Sequence, residues 1–188
     1  METVLIAYND ASQTELHSFF ESCADGVKQL CFENNYDYTS VYPPNLTEHN
    51  VISSMDKHAI CFVASHGDSE GIYNEKDNYV VSTKTTNYSL SGKIFYAISC
   101  LCANKLMPEL KRIGLETFVG YDDNLRVVES EPMFCESAIE GLKAILEKND
   151  KSTAKKRMLD KYTELINNAP SEDIKMLLLH NREHLCFE

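Results

Sequence analysis

Ala59-Ile60-Cys61-Phe62-Val63-Ala64-Ser65-His66-Gly67 and Ile94-Phe95-Tyr96-Ala97-Ile98-Ser99-Cys100 decide the fold. Each begins as a short run that is apolar at every position, not at every second one, and closes on a chemically active residue. Strands buried on both faces read this way, and they belong to parallel sheets covered by helices. Outward from these two, β-branched and aromatic runs at 3–8, 37–42, 58–65, 93–100 and 116–121 alternate with amphipathic stretches at 11–31, 47–56 and 103–113. The alternation predicts an α/β fold: a mainly parallel sheet of about five strands with helices filling the crossovers. Gly71-Ile72-Tyr73 and Tyr79-Val80-Val81 flank the polar turn Asn74-Glu75-Lys76-Asp77-Asn78 and predict a small hairpin outside that sheet. The Tyr-rich segment Tyr36 to Tyr42 reads as an edge strand.

From Pro132 the pattern changes. Stretches at 132–148, 152–167 and 171–186 carry apolar residues at three-to-four spacing, as at Ala138, Leu142, Ile145 and Leu146, and predict three helices. Pro132 suits a first helical turn, and Pro170 separates the last two helices. With no repeat, low-complexity segment or linker between the halves, residues 1–188 are expected to form one domain, with 132–188 as its helical C-terminal part.

A formal net charge of -11 and the lack of a concentrated basic stretch argue against direct nucleic acid binding and against an anionic membrane surface. Met1 leads directly into Thr3-Val4-Leu5-Ile6-Ala7-Tyr8, with no basic region before an apolar run, which predicts a cytoplasmic protein. The seven cysteines sit mainly in apolar stretches, as Cys31, Cys61 and Cys135 do, and are expected to be reduced thiols. Asn45-Leu46-Thr47 and Asn87-Tyr88-Ser89 match the glycosylation triplet, but carry no weight without a secretory signal.

Ligands of open α/β sheets bind outside the carboxyl ends of the strands. His66-Gly67 ends one central run, and Cys100 ends the next. Neighbouring strands lie about 4.8 Å apart, so adjacency would bring an imidazole and a thiol to one sheet edge as a Cys/His dyad. The imidazole can take the thiol proton or protonate a leaving amine. The N–H groups of Gly67 and Cys100 are suited to a developing oxyanion, and a helix over 103–113 would add its positive N-terminal pole. Cys102, two residues on, offers a second thiol, and the pair Cys100 and Cys102 also leaves a redox function open.

The blocks His58 to Asp68 and Lys93 to Ala103 resemble the His-Gly and strand-Cys blocks of clan CD cysteine peptidases, which include caspases, metacaspases, gingipains, separases and CHAT domains. Leu106 to Asp123, with its strand ending in Val119-Gly120-Tyr121, and the glycine-centred Ser69 to Tyr73 are similar to CHAT domains in particular. The resemblance covers about residues 1–125. It implies a caspase-like fold and a cysteine endopeptidase with Cys100 as nucleophile in preference to Cys102, His66 as acid/base and Gly67 at the oxyanion. It further implies a protein or peptide substrate, a regulatory protein partner, a setting in bacterial defence or signalling, and neither metal nor organic cofactor. A caspase-fold interaction module without turnover is the alternative.

Two departures stand out. Where metacaspases place an aspartate two positions before the cysteine to bind a basic side chain, this chain has Ile98; Asp10, Asp122 and Asp123 are the remaining candidate substrate-binding acids at strand ends. The segment 101–115 is too short for a cleavable linker beside a helix, and the crossover from the hairpin to the 93–100 strand is too short for a covering helix. That face of the sheet is expected to be exposed or covered by something else, a partner being one such cover. His180 and His184 are four apart on a predicted helix, but Glu183 does not follow His180 directly, so they read as a surface pair. Tyr8-Asn9-Asp10-Ala11-Ser12-Gln13 lacks the glycines of a phosphate loop.

Overall fold

The structure, a computed structural model, describes residues 3–85 and 89–188; Asn87 and Tyr88 of the second glycosylation-like triplet lie outside them. The elements in chain order are β1 (Thr3–Tyr8), α1 (His17–Glu33), β2 (Asp37–Val41), α2 (Glu48–Met55), β3 (Ile60–Ala64), β4 (Gly71–Tyr73), β5 (Tyr79–Ser82) and β6 (Ile94–Ile98). They continue with α3 (Leu106–Arg112), β7 (Thr117–Tyr121), α4 (Pro132–Leu146), α5 (Lys151–Asn167), α6 (Glu172–Glu183) and β8 (Leu185–Phe187). The main sheet runs β2-β1-β3-β6-β7-β8, and β4-β5 form a separate hairpin. All main-sheet pairs are parallel except β7–β8. This is the expected α/β architecture.

The strands bury alternate residues against two different layers. One face sends Val4, Ile6, Ile60, Phe62, Tyr96 and Ile98 into a core shared with α1 and the helical C-terminal part. The other sends Leu5, Ala7, Cys61, Val63, Phe95 and Ala97 against α2, α3 and the hairpin. Ile72, Val80 and Val81 of the hairpin are fully buried there, so β4-β5 take the place of a crossover helix between β3 and β6. Of the two expected states, exposed or covered by something other than a helix, the structure has the second, and the cover is the chain's own hairpin. Gly71 permits the tight hairpin: a Cβ at this position would lie 2.9 Å from Ser82 Cα.

Three boundaries differ from the sequence expectation. Helix α1 starts at His17, not residue 11, because a turn closed by Thr14 N–H to Ala11 C=O and a left-handed Leu16 (φ 61°) precede it. Helix α3 starts at Leu106, after turns that include left-handed Leu101 (φ 57°). The last helix ends at Glu183, and β8 then joins the sheet edge, with Phe118 and Glu188 exchanging N–H···O bonds of 2.8 and 2.9 Å. A three-residue strand is too short to announce a period of two. Helix α4 begins with Pro132 in its first turn, α5 is capped by Asp150 and α6 by Ser171, each side chain accepting a backbone N–H.

Candidate active site

Strands β3 and β6 are direct parallel neighbours, with Ala64 opposite Ile98. The Ser65 N–H bond to Ile98 C=O (3.2 Å) carries the pairing one residue past the end of β3, and the same register extended by two residues would set His66 opposite Cys100. Both residues follow the parity of the face that packs on α1. The His66 ring meets Phe20 of α1 edge-on, with centroids 5.2 Å apart, and Cys100 packs against the same core. Cys102 lies in the opposite core, fully buried, with its Sγ 3.4 Å from Ser99 C=O. The two thiols are therefore on different sides of the sheet, and burial holds the Cys102 thiol up at about 12.

His66 is held from three sides. Its Nε2 donates to the Glu15 carbonyl at 2.7 Å, so Nδ1 is the ring nitrogen not engaged there. Phe20 supports one edge, and the Tyr73 ring stacks at 6.2 Å and 20°. Cys100 Sγ accepts the Leu125 N–H at 3.3 Å. Burial raises the Cys100 thiol above its ordinary value, the Leu125 N–H opposes this, and the Asp123 charge adds to it. The thiol is thus the resting form at neutral pH. Helix α3 begins too far along the chain, six residues after Cys100, to act on it as a helix over 103–113 would have done.

Gly67 sits where no side chain fits. A Cβ there would lie 2.9 Å from Gly71 O and 3.2 Å from Cys100 O, and closer still to Ser99 Oγ. Antiparallel bonds from Tyr73 N–H to His66 C=O and from Asp68 N–H to Gly71 C=O engage its neighbours, while the Gly67 N–H itself bonds no described residue. The Cys100 N–H is likewise unengaged among the described residues. Two unpaired amide donors beside a thiol are the donor set an oxyanion requires.

Beside His66 lies a cleft of about 330 Å³, lined in part by Thr14, Glu15, Tyr73, Glu75 and Asp77. Asn74 builds its floor: its side chain donates to Leu46 C=O at 2.8 Å and accepts the N–H groups of Lys76 and Asn78. That turn turns Glu75 inward, with its side chain only 7% exposed. The Glu75 Oε2 is buried and meets no donor among the described residues. Lys76 Nζ lies 3.9 Å from the other oxygen, Oε1, so Oε2 is the carboxylate atom left for a further donor.

The other acids have different surroundings. Asp10 follows β1, half-buried. Asp122 Oδ1 lies 2.8 Å from His184 Nδ1, and Asp123 Oδ2 lies 3.7 Å from His184 Nε2. Sequence reasoning missed Glu15, Phe20, Tyr73 and Glu75. Glu15 acts through its backbone, which no side-chain motif marks, and Glu75 was read as part of a polar turn.

The sheet order, mainly parallel with helices on both sides, is that of a caspase-like α/β fold. Among solved structures, the chain is similar to the complex of Porphyromonas gingivalis RgpB pro- and mature domains, with TM-score 0.67 and 10% identity over 100% of this chain and 46% of that one. It is also similar to the Arg-specific cysteine proteinase gingipain R (RgpB), with TM-score 0.64 and 10% identity over 93% of this chain and 44% of that one. At this identity the likeness is one of fold, and the chain spans less than half the length of either neighbour. No protein-family model and no curated protein matches the sequence. Among the described residues no helix is long and apolar enough to cross a membrane.

Proposed function

We propose that the chain is a caspase-like cysteine endopeptidase, one domain over residues 1–188, in which Cys100 attacks a peptide carbonyl and His66 carries the proton. The observation that carries this reading is the β3–β6 register, which sets an imidazole and an accessible thiol at paired strand ends, beside two unengaged N–H groups. Cys100 Sγ bonds to the carbonyl carbon as its proton passes to the His66 nitrogen that does not face Glu15. The Gly67 and Cys100 N–H groups hold the oxyanion. The tetrahedral centre collapses to a thioester, the amine leaves with the proton from His66, and water, deprotonated by His66, releases the acid and restores the thiol. Because burial favours the thiol, proton transfer accompanies attack instead of preceding it.

The cleft beside His66 receives a basic side chain of the substrate, with Glu75 as its main partner and Glu15 and Asp77 at its rim. Asp10 is a further acid at a strand end. Asp122 and Asp123 are engaged with the histidines of α6 and are less suited to substrate. The resemblance to CHAT domains extends the reading to a cytoplasmic enzyme controlled by a protein partner in bacterial defence or signalling.

An electrophilic peptide probe ending in arginine tests the reading. Covalent attachment at Cys100, lost in Cys100→Ala and slowed about 10²–10⁴-fold in His66→Ala, is expected. Attachment elsewhere, or unchanged labelling of Cys100→Ala, would remove the nucleophile. The raised Cys100 thiol favours one second reading, a caspase-fold interaction module without turnover. No labelling of the lone chain or in cell extract would select it.

A further inference from the structure

His180 and His184 occupy the last turn of α6 and its C-cap, with ring centroids 4.5 Å apart. Their spacing along the chain gives two imidazoles and no third ligand. The fold supplies that ligand: β7 ends at Tyr121, and the next turn carries Asp123 to the same spot. Asp123 Oδ2 lies 3.7 Å from His184 Nε2 and 3.9 Å from His180 Nε2, and the three ligand atoms all fall within 4.8 Å of one another. We propose that Asp123, His180 and His184 form a site for one divalent transition-metal ion of the zinc type.

Tetrahedral zinc bonds nitrogen and carboxylate oxygen at about 2.0–2.2 Å, which puts the ligand atoms roughly 3.4 Å apart. The two separations from Asp123 need to contract by only a few tenths of an ångström. His184 Nδ1 lies 2.8 Å from Asp122 Oδ1 and donates to it, so Nε2 presents its lone pair toward Asp123. A carboxylate behind a ligating histidine is the arrangement that fixes the tautomer and raises ligand basicity. His180 Nε2 faces the Asn124 carbonyl at 3.0 Å; binding replaces that hydrogen bond with a metal bond and moves the ring proton to Nδ1.

The site is rigid before any ion arrives. Buried Asn181 of α6 accepts the Arg126 N–H at 2.8 Å and donates to the Arg126 carbonyl at 2.6 Å, and Asp122 N–H bonds to His184 C=O at 3.1 Å. Helix and loop are thus bound together on either side of Asp123. The last turn of a helix also carries partial negative charge, which favours a cation. The side chains are 14%, 36% and 38% exposed for His180, His184 and Asp123, leaving a side open for a fourth ligand such as water. The same loop holds the reactive thiol through Leu125 N–H to Cys100 Sγ and Asp123 C=O to Leu101 N–H, so the ion would brace the wall of the candidate active site.

Cobalt(II) and zinc binding by the full chain tests the proposal independently of any peptidase activity. One equivalent of Co²⁺ should give visible ligand-field absorption of a nitrogen/oxygen site without the near-ultraviolet thiolate-to-metal band, displaced by one equivalent of Zn²⁺. Zinc affinity should fall at least 100-fold in the His180→Gln/His184→Gln double variant and about 10-fold or more in Asp122→Asn, the usual loss when a histidine loses its supporting carboxylate. Cys100→Ala should bind zinc as the unaltered chain does. Absence of the cobalt spectrum, a thiolate band, or undiminished affinity in the double variant, with its fold verified by circular dichroism, would each overturn the site.

Discussion

The two faces of the central sheet are built from the same strands, yet only one reaches the candidate chemistry. On the α1 side, Ala64 and Ile98 lead by parity to His66 and Cys100, which remain partly accessible at the strand ends. On the hairpin side, Val63 and Ala97 lead into a closed core, and Cys102 is fully enclosed by it. The difference lies in what covers each strand end. The hairpin and α3 seal one side, whereas the turn before α1 stops at Leu16 and leaves the cleft beside His66. Cys100 and Cys102 would share one face of a continuing strand, but β6 ends at Ile98 and the left-handed Leu101 (φ 57°) turns the chain between them, so two thiols of similar sequence context fall in opposite cores and acquire opposite properties.

The comparison can be broken most severely at Gly67. Gly67→Ala forces a Cβ against Gly71 O and Cys100 O, displacing the N–H groups on the open face. Peptide-probe labelling of Cys100 should fall at least about 100-fold, the scale of losing an oxyanion donor. Labelling within threefold of the unaltered chain would show that this close approach does not matter. A second measurement sharpens the contrast: the pH dependence of Cys100 alkylation by iodoacetamide, read by peptide mass spectrometry. Below its pKa the thiolate fraction climbs tenfold per pH unit, and burial raises the pKa, so the rate should still be rising above pH 9, the group's ordinary value. A plateau below pH 8 would contradict the environment described.

The smallest effect belongs to the sealed face. Cys102→Ala should leave probe labelling intact and cost about 0.5–1.5 kcal/mol in denaturant unfolding, the scale of deleting one small buried group. Lost labelling with unchanged stability would reverse the roles given to the two cysteines.

Much of the fold was legible because its signals are local. The continuous apolar runs at Ile60 to Ala64 and Ile94 to Ile98 announce doubly buried strands, and the three-to-four spacing after Pro132 announces helices. The edge strand β8 escaped because three residues after a helix carry no period. The start of α1 was misplaced because the break at Leu16 is a left-handed residue that no glycine marks. His66, Gly67 and Cys100 became candidates because each stands at the end of a recognisable run.

The sequence by itself determined which segments become central strands and which reactive residues cap them, since burial pattern and strand termini are written in neighbouring residues. Only the tertiary structure decided that β3 and β6 lie side by side in the register pairing Ala64 with Ile98, and that Asp123 meets His180 and His184 across 57 and 61 residues of chain. It also decided that Glu75 turns into a cleft instead of into water. These are encounters between distant segments, set by how whole layers pack and not by any local preference of the residues that meet.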